Sequence, residues 1–472
     1  MKKCPVSQYC GGCQYQGITY QKQLEMKQNY ADRLLSGFHA VEKIIPCRES
    51  EHYRNKIQIS FGYDEQRRII CGYYAPNSHF IVPIEECMIA DEKINQLIKS
   101  LKRIIIKNHI SIYDERSRKG CLRHILIRTS NLNESMVVFV TGSRTLQKQD
   151  ILVRETLRYN PEVKTIIHNV NDVPVSKVLG KKEYVLYGKG YITDVLNGLY
   201  FRISASSFYQ VNSYQTEVLY AKAIELAGLT KKDTLIDAYC GTGTIGLFAS
   251  SSIKKVMGVE VNASALKDAK TNCRINNIHN AEFILDDAGK YMESLAENKV
   301  HIDVVIMDPP RSGSDTRFMS SMVKLSPERI VYVSCNPETL KRDLQYLKRY
   351  YRIEKIQPVD MFPYTKHIET VCLLSKLSET KNHISVKVDM DEMDLTAAES
   401  KATYEEIRDW VQERYGFHVT NLNIAQVKRE HGIIERENYN KPKSENSRQP
   451  GCPEVKERAI EEAMRFYQMI PS

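Results

Sequence analysis

The chain has no run of 18 apolar residues, which excludes an ordinary membrane-spanning helix. Its first residues, "MKKCPVSQYCGG", carry two lysines but no apolar stretch. A secretory signal is therefore excluded, and the cytoplasm is the expected location. No internal repeat is evident. The paired Cys-x-x-Cys knuckles usual in structural zinc sites are also missing, since only one such pair stands near the start.

What is present reads as an ordinary globular chain of several domains. It has 472 residues, 42% of them apolar and 26% charged. Twelve cysteines in a reducing compartment point to metal ligands or catalysts rather than disulfides. The net charge of +9 is unevenly spread. Residues 377–472 hold 14 Lys and Arg against 18 Asp and Glu, or −4. By subtraction, residues 1–376 hold 53 against 40, or +13. A basic body suits a polyanion such as RNA.

Residues 1–90 mix cysteines with short β-like runs, and residues 91–204 read as a central α+β region. From 205 to 376 apolar strands alternate with amphipathic helices, the pattern of a doubly wound, Rossmann-like α/β domain. Residues 377–400 are polar and acidic and read as a linker. Residues 401–472 read as a small helical appendage resembling a helix-turn-helix, with Thr403 as a capping residue and Lys428 and Arg429 as possible phosphate contacts. The tail's negative charge argues against a strong nucleic-acid arm.

The α/β part carries "LIDAYCGTGTIGLFAS", a strand, a Gly-rich turn and a helix. Asp237 precedes the glycines, Glu260 ends the next strand and Asp287 ends the third. A carboxylate at the second strand end takes ribose hydroxyls, and one at the third lies beside an adenine. An acid before the glycines suits a cofactor with an ammonium and no pyrophosphate. The three together favour S-adenosylmethionine over a dinucleotide. The fourth strand ends in "IMDPPRSG", placing Asp308 on the same rim. The fifth ends in "VYVSCNPETL". Cys335 there is either a buried core thiol or a nucleophile aimed into the cleft. Glu369, just before the last apolar strand, is a candidate base.

The pieces "SFYQVN", "DAYCGTGT", "GVE", "DPPR", "SCNP" and "DMFPYTKHIE" resemble, in order and spacing, the RNA (uracil-5-)-methyltransferases. With the N-terminal cysteines they are similar to the iron–sulfur-bearing 23S rRNA branch over residues 4–376. The resemblance implies a nucleophile at Cys335, a base at Glu369 and cofactor contacts at Gln210, Tyr239, Glu260 and Asp308. Asp287 is added from its strand-end position. Phe208 is expected either to stack on a flipped base or to fill the core. Cys4, Cys10, Cys13 and Cys87 are four thiols able to hold zinc or an iron–sulfur cluster. The resemblance implies a [4Fe–4S] cluster, serving folding or RNA binding rather than electron transfer. The expected partner is RNA, 23S rRNA first and tRNA as the alternative, with no membrane and a monomeric state. An amino-group methyltransferase would not need Cys335, and a non-catalytic RNA-binding protein would not need the cofactor acids.

Overall fold

The computed structural model describes residues 4–76, 78–115, 117–173, 178–377, 404–431, 452–467 and 469–470. The chain divides into two units, Met1–Ser378 and Glu379–Ser472. The expected linker, beyond its first residue, and Thr403 lie outside the described residues. Among these residues no helix is long and apolar enough to cross a membrane.

The first unit opens with α1 (Tyr20–Leu35), capped by the Thr19 hydroxyl, which accepts from the Lys22 N–H at 3.3 Å. Its buried face is Gln23, Lys27, Ala31 and Leu35, one turn apart. There follow β1 (Lys56–Tyr63), β2 (Ile69–Tyr74), β3 (Ile81–Pro83), α2 (Glu92–Lys107), β4 (Leu122–Thr129), β5 (Ser135–Thr141), α3 (Gln149–Tyr159), β6 (Val163–Val170) and β7 (Lys182–Gly188). The seven strands form one sheet in the order β3-β2-β1-β4-β5-β6-β7. Only β5 and β6 run parallel within it. The division expected at residue 90 therefore falls inside a single sheet.

Strand alternation sorts this sheet's side chains. Ile125, Ile127, Val137 and Phe139 pack with Ile94, Leu97 and Leu101 of α2. Leu126, Met136, Val138 and Val140 point the other way and join the core of the α/β part. The hairpin of β8 (Tyr191–Leu196) and β9 (Leu199–Ser204) turns at Asn197-Gly198, both at positive φ, as a two-residue turn requires.

The α/β part comprises α4 (Ser213–Ala227), β10 (Thr234–Ala238), α5 (Thr244–Ala249), β11 (Lys255–Glu260), α6 (Ala263–Ile275), β12 (Ala281–Leu285), α7 (Ala288–Glu297), β13 (Val304–Met307), α8 (Thr316–Leu325), β14 (Arg329–Ser334), α9 (Pro337–Leu347), β15 (Tyr351–Val359) and β16 (Glu369–Lys376). Its sheet order is β12-β11-β10-β13-β14-β16-β15. The first five strands are parallel, as expected, and β16 is antiparallel to both its neighbours. Leu235, Val304, Val331 and Val333 face one apolar layer, while Ile236, Val305, Ile330 and Tyr332 face the other.

Helix α1 belongs to this α/β part and not to the first sheet. Leu35 is buried in its second layer, and the chain then runs beside β15 through parallel bridges Val41–Ile356 and Ile45–Val359. Lys27 Nζ meets Asp360 Oδ1 at 2.5 Å with both side chains fully buried. Tyr20 donates to the second Asp360 oxygen at 2.9 Å, and Lys27 also donates to the Phe362 carbonyl at 3.0 Å. Gln23 Oε1 accepts from the Tyr364 N–H at 2.8 Å. These polar contacts tie α1 to the loop that leads into β16.

In the second unit α10 (Tyr404–Tyr415), α11 (Asn421–Glu430) and α12 (Glu454–Phe466) share a core of Ile407, Val411, Ile424, Val427, Ile460 and Met464. Lys428 is not the phosphate contact expected of it. It is 1% exposed, with its ammonium 4.1 Å from the Tyr404 ring centroid.

Removing one partner of a buried ion pair strands the other charge, at a cost of about 3–5 kcal/mol. Lys27→Ala is expected to lower unfolding stability by that amount in chemical denaturation. A loss under about 1 kcal/mol, the range of exposed pairs, would show that the pair does not anchor the loop.

Candidate active site

The turn after β10 is built for close approach. Tyr239, Gly241 and Gly243 all have positive φ. A Cβ on Gly243 would also meet the Phe283 ring at 2.8 Å, so this position is glycine for two reasons. Glu260, at the end of β11, accepts from the Gly241 N–H at 3.0 Å and from the Asn262 N–H at 2.7 Å. It holds the turn while facing the cleft. Asp237 lies beneath the turn rather than on the cleft wall, correcting its expected place beside a cofactor ammonium. It accepts from the Gly246 N–H at 2.7 Å, and its other oxygen has no partner among the described residues. Burial pushes its carboxyl up to about 7.

The other expected cofactor residues gather in one cavity of about 1030 Å³, lined by Gln210, Tyr239, Glu260, Asp287 and Asp308 together with Cys335 and Glu369. Gln210 is buried, and its carbonyl accepts from Asn55 Nδ2 at 3.1 Å. The Tyr239 ring packs against Phe318, centroids 5.0 Å apart. Asp287 caps α7, accepting from the Lys290 N–H at 2.9 Å. Burial pushes the Asp308 carboxyl up to about 7. Phe208 is 62% exposed on the wall of this cavity, which removes the core-filling reading.

The thiol at the end of β14 owes its place to the turn after it. Ser334 Oγ donates to the Asn336 carbonyl at 3.0 Å and accepts from the Asn336 N–H at 3.2 Å. Asn336 caps α9, accepting from the Glu338 N–H at 3.1 Å, and Pro337 takes the first helical turn. Asn336 Nδ2 also reaches the Arg311 carbonyl at 3.2 Å, tying this turn to the "DPPR" loop. Strands β14 and β16 pair with Ser334 opposite Thr370. One residue further, that register sets Cys335 against Glu369.

The electrostatics follow from this packing. Burial first, then the nearby Glu369 and Asp308 carboxyls, push the Cys335 thiol up to about 11, while Arg311 opposes them. Burial and Asp308 hold the Glu369 carboxyl well above its ordinary range, again against Arg311. Arg311, which motif reading left without a role, lies close enough to act on both groups. Its Nη2 also lies 2.7 Å from His367 Nδ1. Burial and that guanidinium pull His367 down to about 4, so its ring is neutral near pH 7.

Cys4, Cys10, Cys13 and Cys87 are each half-buried and line the same cavity. Cys13 feels the charges of the other three thiols, so the four sulfurs share one space. Among the described residues no three His, Cys, Asp or Glu side chains converge as ligands of a single metal ion. The segment that bears them docks on the loop after β15, through Tyr15 N–H to the Tyr364 carbonyl at 2.9 Å and Lys366 N–H to Gln14 Oε1 at 3.2 Å. Distant in sequence, these cysteines line the same cavity as Cys335.

Residues 19–377 match the family model described as tRNA (Uracil-5-)-methyltransferase. The chain belongs to that family. Its relatives include a protein of Oceanobacillus iheyensis described as an uncharacterized RNA methyltransferase, 43% identical over 78% of this chain and 82% of that protein. One of Clostridium tetani with the same description is 43% identical over 80% and 83%. Among solved structures, the Pyrococcus abyssi tRNA (uracil-54, C5)-methyltransferase in complex with S-adenosyl-L-homocysteine is 30% identical, with a TM-score of 0.64 over 79% of this chain and 87% of that one. The family is that of the RNA (uracil-5-)-methyltransferases, and the Pyrococcus abyssi neighbour supports the α/β methyltransferase fold described above.

A thiol with its midpoint near 11 is ionised in only ~10⁻⁴ of molecules at pH 7. Alkylation of Cys335, followed on its own peptide by mass spectrometry, should therefore accelerate about tenfold per pH unit up to about 11. Glu369→Gln removes a negative neighbour and should move that midpoint down. Arg311→Ala removes a positive one and should move it up. A midpoint indifferent to both variants would contradict the placement of these groups around the sulfur.

Proposed function

We propose that the protein methylates C5 of a uridine in 23S rRNA, with S-adenosylmethionine as methyl donor. The observation that carries the chemistry is the β14–β16 register, which sets the Cys335 thiol against a buried carboxyl within the cleft that gathers the cofactor acids. Uracil C5 is a weak carbon nucleophile. The Cys335 thiolate adds to C6, forming a C–S bond and pushing the ring's electron pair toward O4 as an enolate. The bound cofactor supplies the methyl group, which C5 takes up. Glu369 then accepts the C5 proton, the C6–S bond breaks, and the pair of electrons it held returns to the sulfur. Arg311 favours the anionic forms of both Cys335 and Glu369 during these proton movements. Phe208, exposed at the cavity wall, offers a ring for the extruded base.

Cys4, Cys10, Cys13 and Cys87 would hold a [4Fe–4S] cluster, whose contribution is to brace the segment docked on the loop after β15. The cluster reading supports rRNA through the resemblance to the iron–sulfur branch. The Pyrococcus abyssi neighbour acts on tRNA, which favours tRNA uridine as the second reading. Arg54, which enters the cavity from the β1 side, supplies positive charge for either RNA, while burial and the Arg128 and Arg54 charges pull the neighbouring Lys56 down to about 7.

Mapping 5-methyluridine in rRNA and tRNA from a strain lacking this gene decides between them. Loss of a site in 23S rRNA is expected, and loss confined to tRNA would overturn the rRNA assignment. The Glu369→Gln variant keeps its shape and loses its basicity. It should accumulate a denaturation-resistant RNA adduct carrying labelled methyl, because removing a general base typically slows its step ~10²–10⁴-fold. Near wild-type turnover, or an adduct without label, would remove Glu369 as the base. Anaerobically purified protein should contain about four iron per chain, and Cys87→Ser should lose it. One zinc and no iron would show that the thiols hold the other metal.

A further inference from the structure

A second cavity, of about 790 Å³, meets the first at the nucleophile. Cys335, Arg311 and His367 line both. Its remaining walls come from elements that the proposed chemistry does not use. Met26, Asn29, Tyr30 and Arg33 stand at i, i+3, i+4 and i+7 on one face of α1. Tyr15, the first turn of α9, the exposed Lys366 and Ile368 complete it. We propose that this cavity is a second nucleotide subsite, holding the residue of the RNA strand that adjoins the target uridine.

Charge and ring geometry carry the inference. Arg33, Arg311 and Lys366 are exposed, and none forms an ion pair with a carboxylate of the described residues. The one acid in the wall, Glu338, accepts from the Tyr30 hydroxyl at 2.9 Å. His367 adds no charge near neutral pH. The cavity is thus cationic beside a half-buried tyrosine ring, with the Arg33 guanidinium 5.4 Å from that ring's centroid. Unpaired cations next to an aromatic face are what a single RNA strand takes, phosphate on the cations and base on the ring. An acidic peptide would match the charge, but it would have no reason to enter at the sulfur that attacks the base. A strand whose uridine reaches Cys335 must leave the cleft, and this is a cationic way out. The inference rests on the RNA uracil-5 reading of the same site.

The test is binding of a fluorescein-labelled oligouridine 12-mer, read by anisotropy over a range of salt. Each lost phosphate contact lowers the slope of log K against log salt by about 0.7 for a single strand. The double variant Arg33→Ala/Lys366→Ala should bind about tenfold more weakly and lose about 1.4 from the slope. Tyr30→Leu should weaken binding about fivefold or more with no change in slope, and Tyr30→Phe, which keeps the ring, should retain it. Lys255→Ala, at the opposite end of the catalytic sheet, should leave both quantities unchanged. Unchanged binding in the double variant and in Tyr30→Leu overturns the subsite. An equal loss of slope in Lys255→Ala also overturns it, since the attraction would then be diffuse. Methyl transfer from S-adenosylmethionine to total RNA of a strain lacking the gene is scored separately. Transfer by the wild type alongside unchanged variant binding removes the subsite and leaves the reaction. Binding losses without transfer support the strand-binding cavity and remove the reaction.

Discussion

The antiparallel pairing of β14 with β16 sets Ser334 against Thr370, and the site depends on that register. A slip of one residue would turn each side chain of a strand to the other face. Cys335 and Glu369 would then no longer meet in one cleft. Register is held firmly here because both faces of the sheet are buried, with Val331 and Val333 in one layer and Ile330 and Tyr332 in the other. The Ser334–Asn336 turn finishes β14 rigidly, so the thiol is placed by backbone geometry rather than by its own contacts.

The start of β16 has a second support. The loop from 360 to 368 is irregular, yet it leads directly into Glu369. Lys27 and Tyr20 occupy the two oxygens of Asp360, and Gln23 holds Tyr364. The cysteine-bearing segment docks on the same loop through Tyr15 and Gln14. The N-terminal region thus fixes the segment that leads into Glu369, the base in the proposed mechanism.

Much of the site was legible because strand ends are legible. Apolar runs that stop at Glu260, Asp287, Asp308 and Cys335 place those side chains on one rim of a parallel sheet, whatever the helices do. Helix α1 was not legible. Its inward face carries Gln23 and Lys27 where a helix normally shows apolar residues, so the 3.6-residue pattern is broken. Those polar residues are inside because Asp360 and the Tyr364 N–H, more than 300 positions away, bond to Lys27 and Gln23, and no local window contains these partners. The division expected at residue 90 failed for a related reason. Strand β1 pairs with β4 across α2, a long-range choice that composition does not record. Lys428 read as a surface cation, but its ammonium rests on the Tyr404 ring. Asp237 read as a cofactor acid, but its carboxylate braces the turn from below.

In the proposed mechanism the Cys335 sulfur bonds to the target base while Glu369 stands opposite to take the C5 proton. An RNA carrying 5-fluorouridine at the target holds fluorine where that proton should be, so the reaction should halt after methyl transfer. Digestion and mass spectrometry of the trapped complex should then find the methylated nucleotide on the peptide containing Cys335, and Cys335→Ala should yield no complex. An adduct on any other cysteine, or the same complex from Cys335→Ala, would contradict the account.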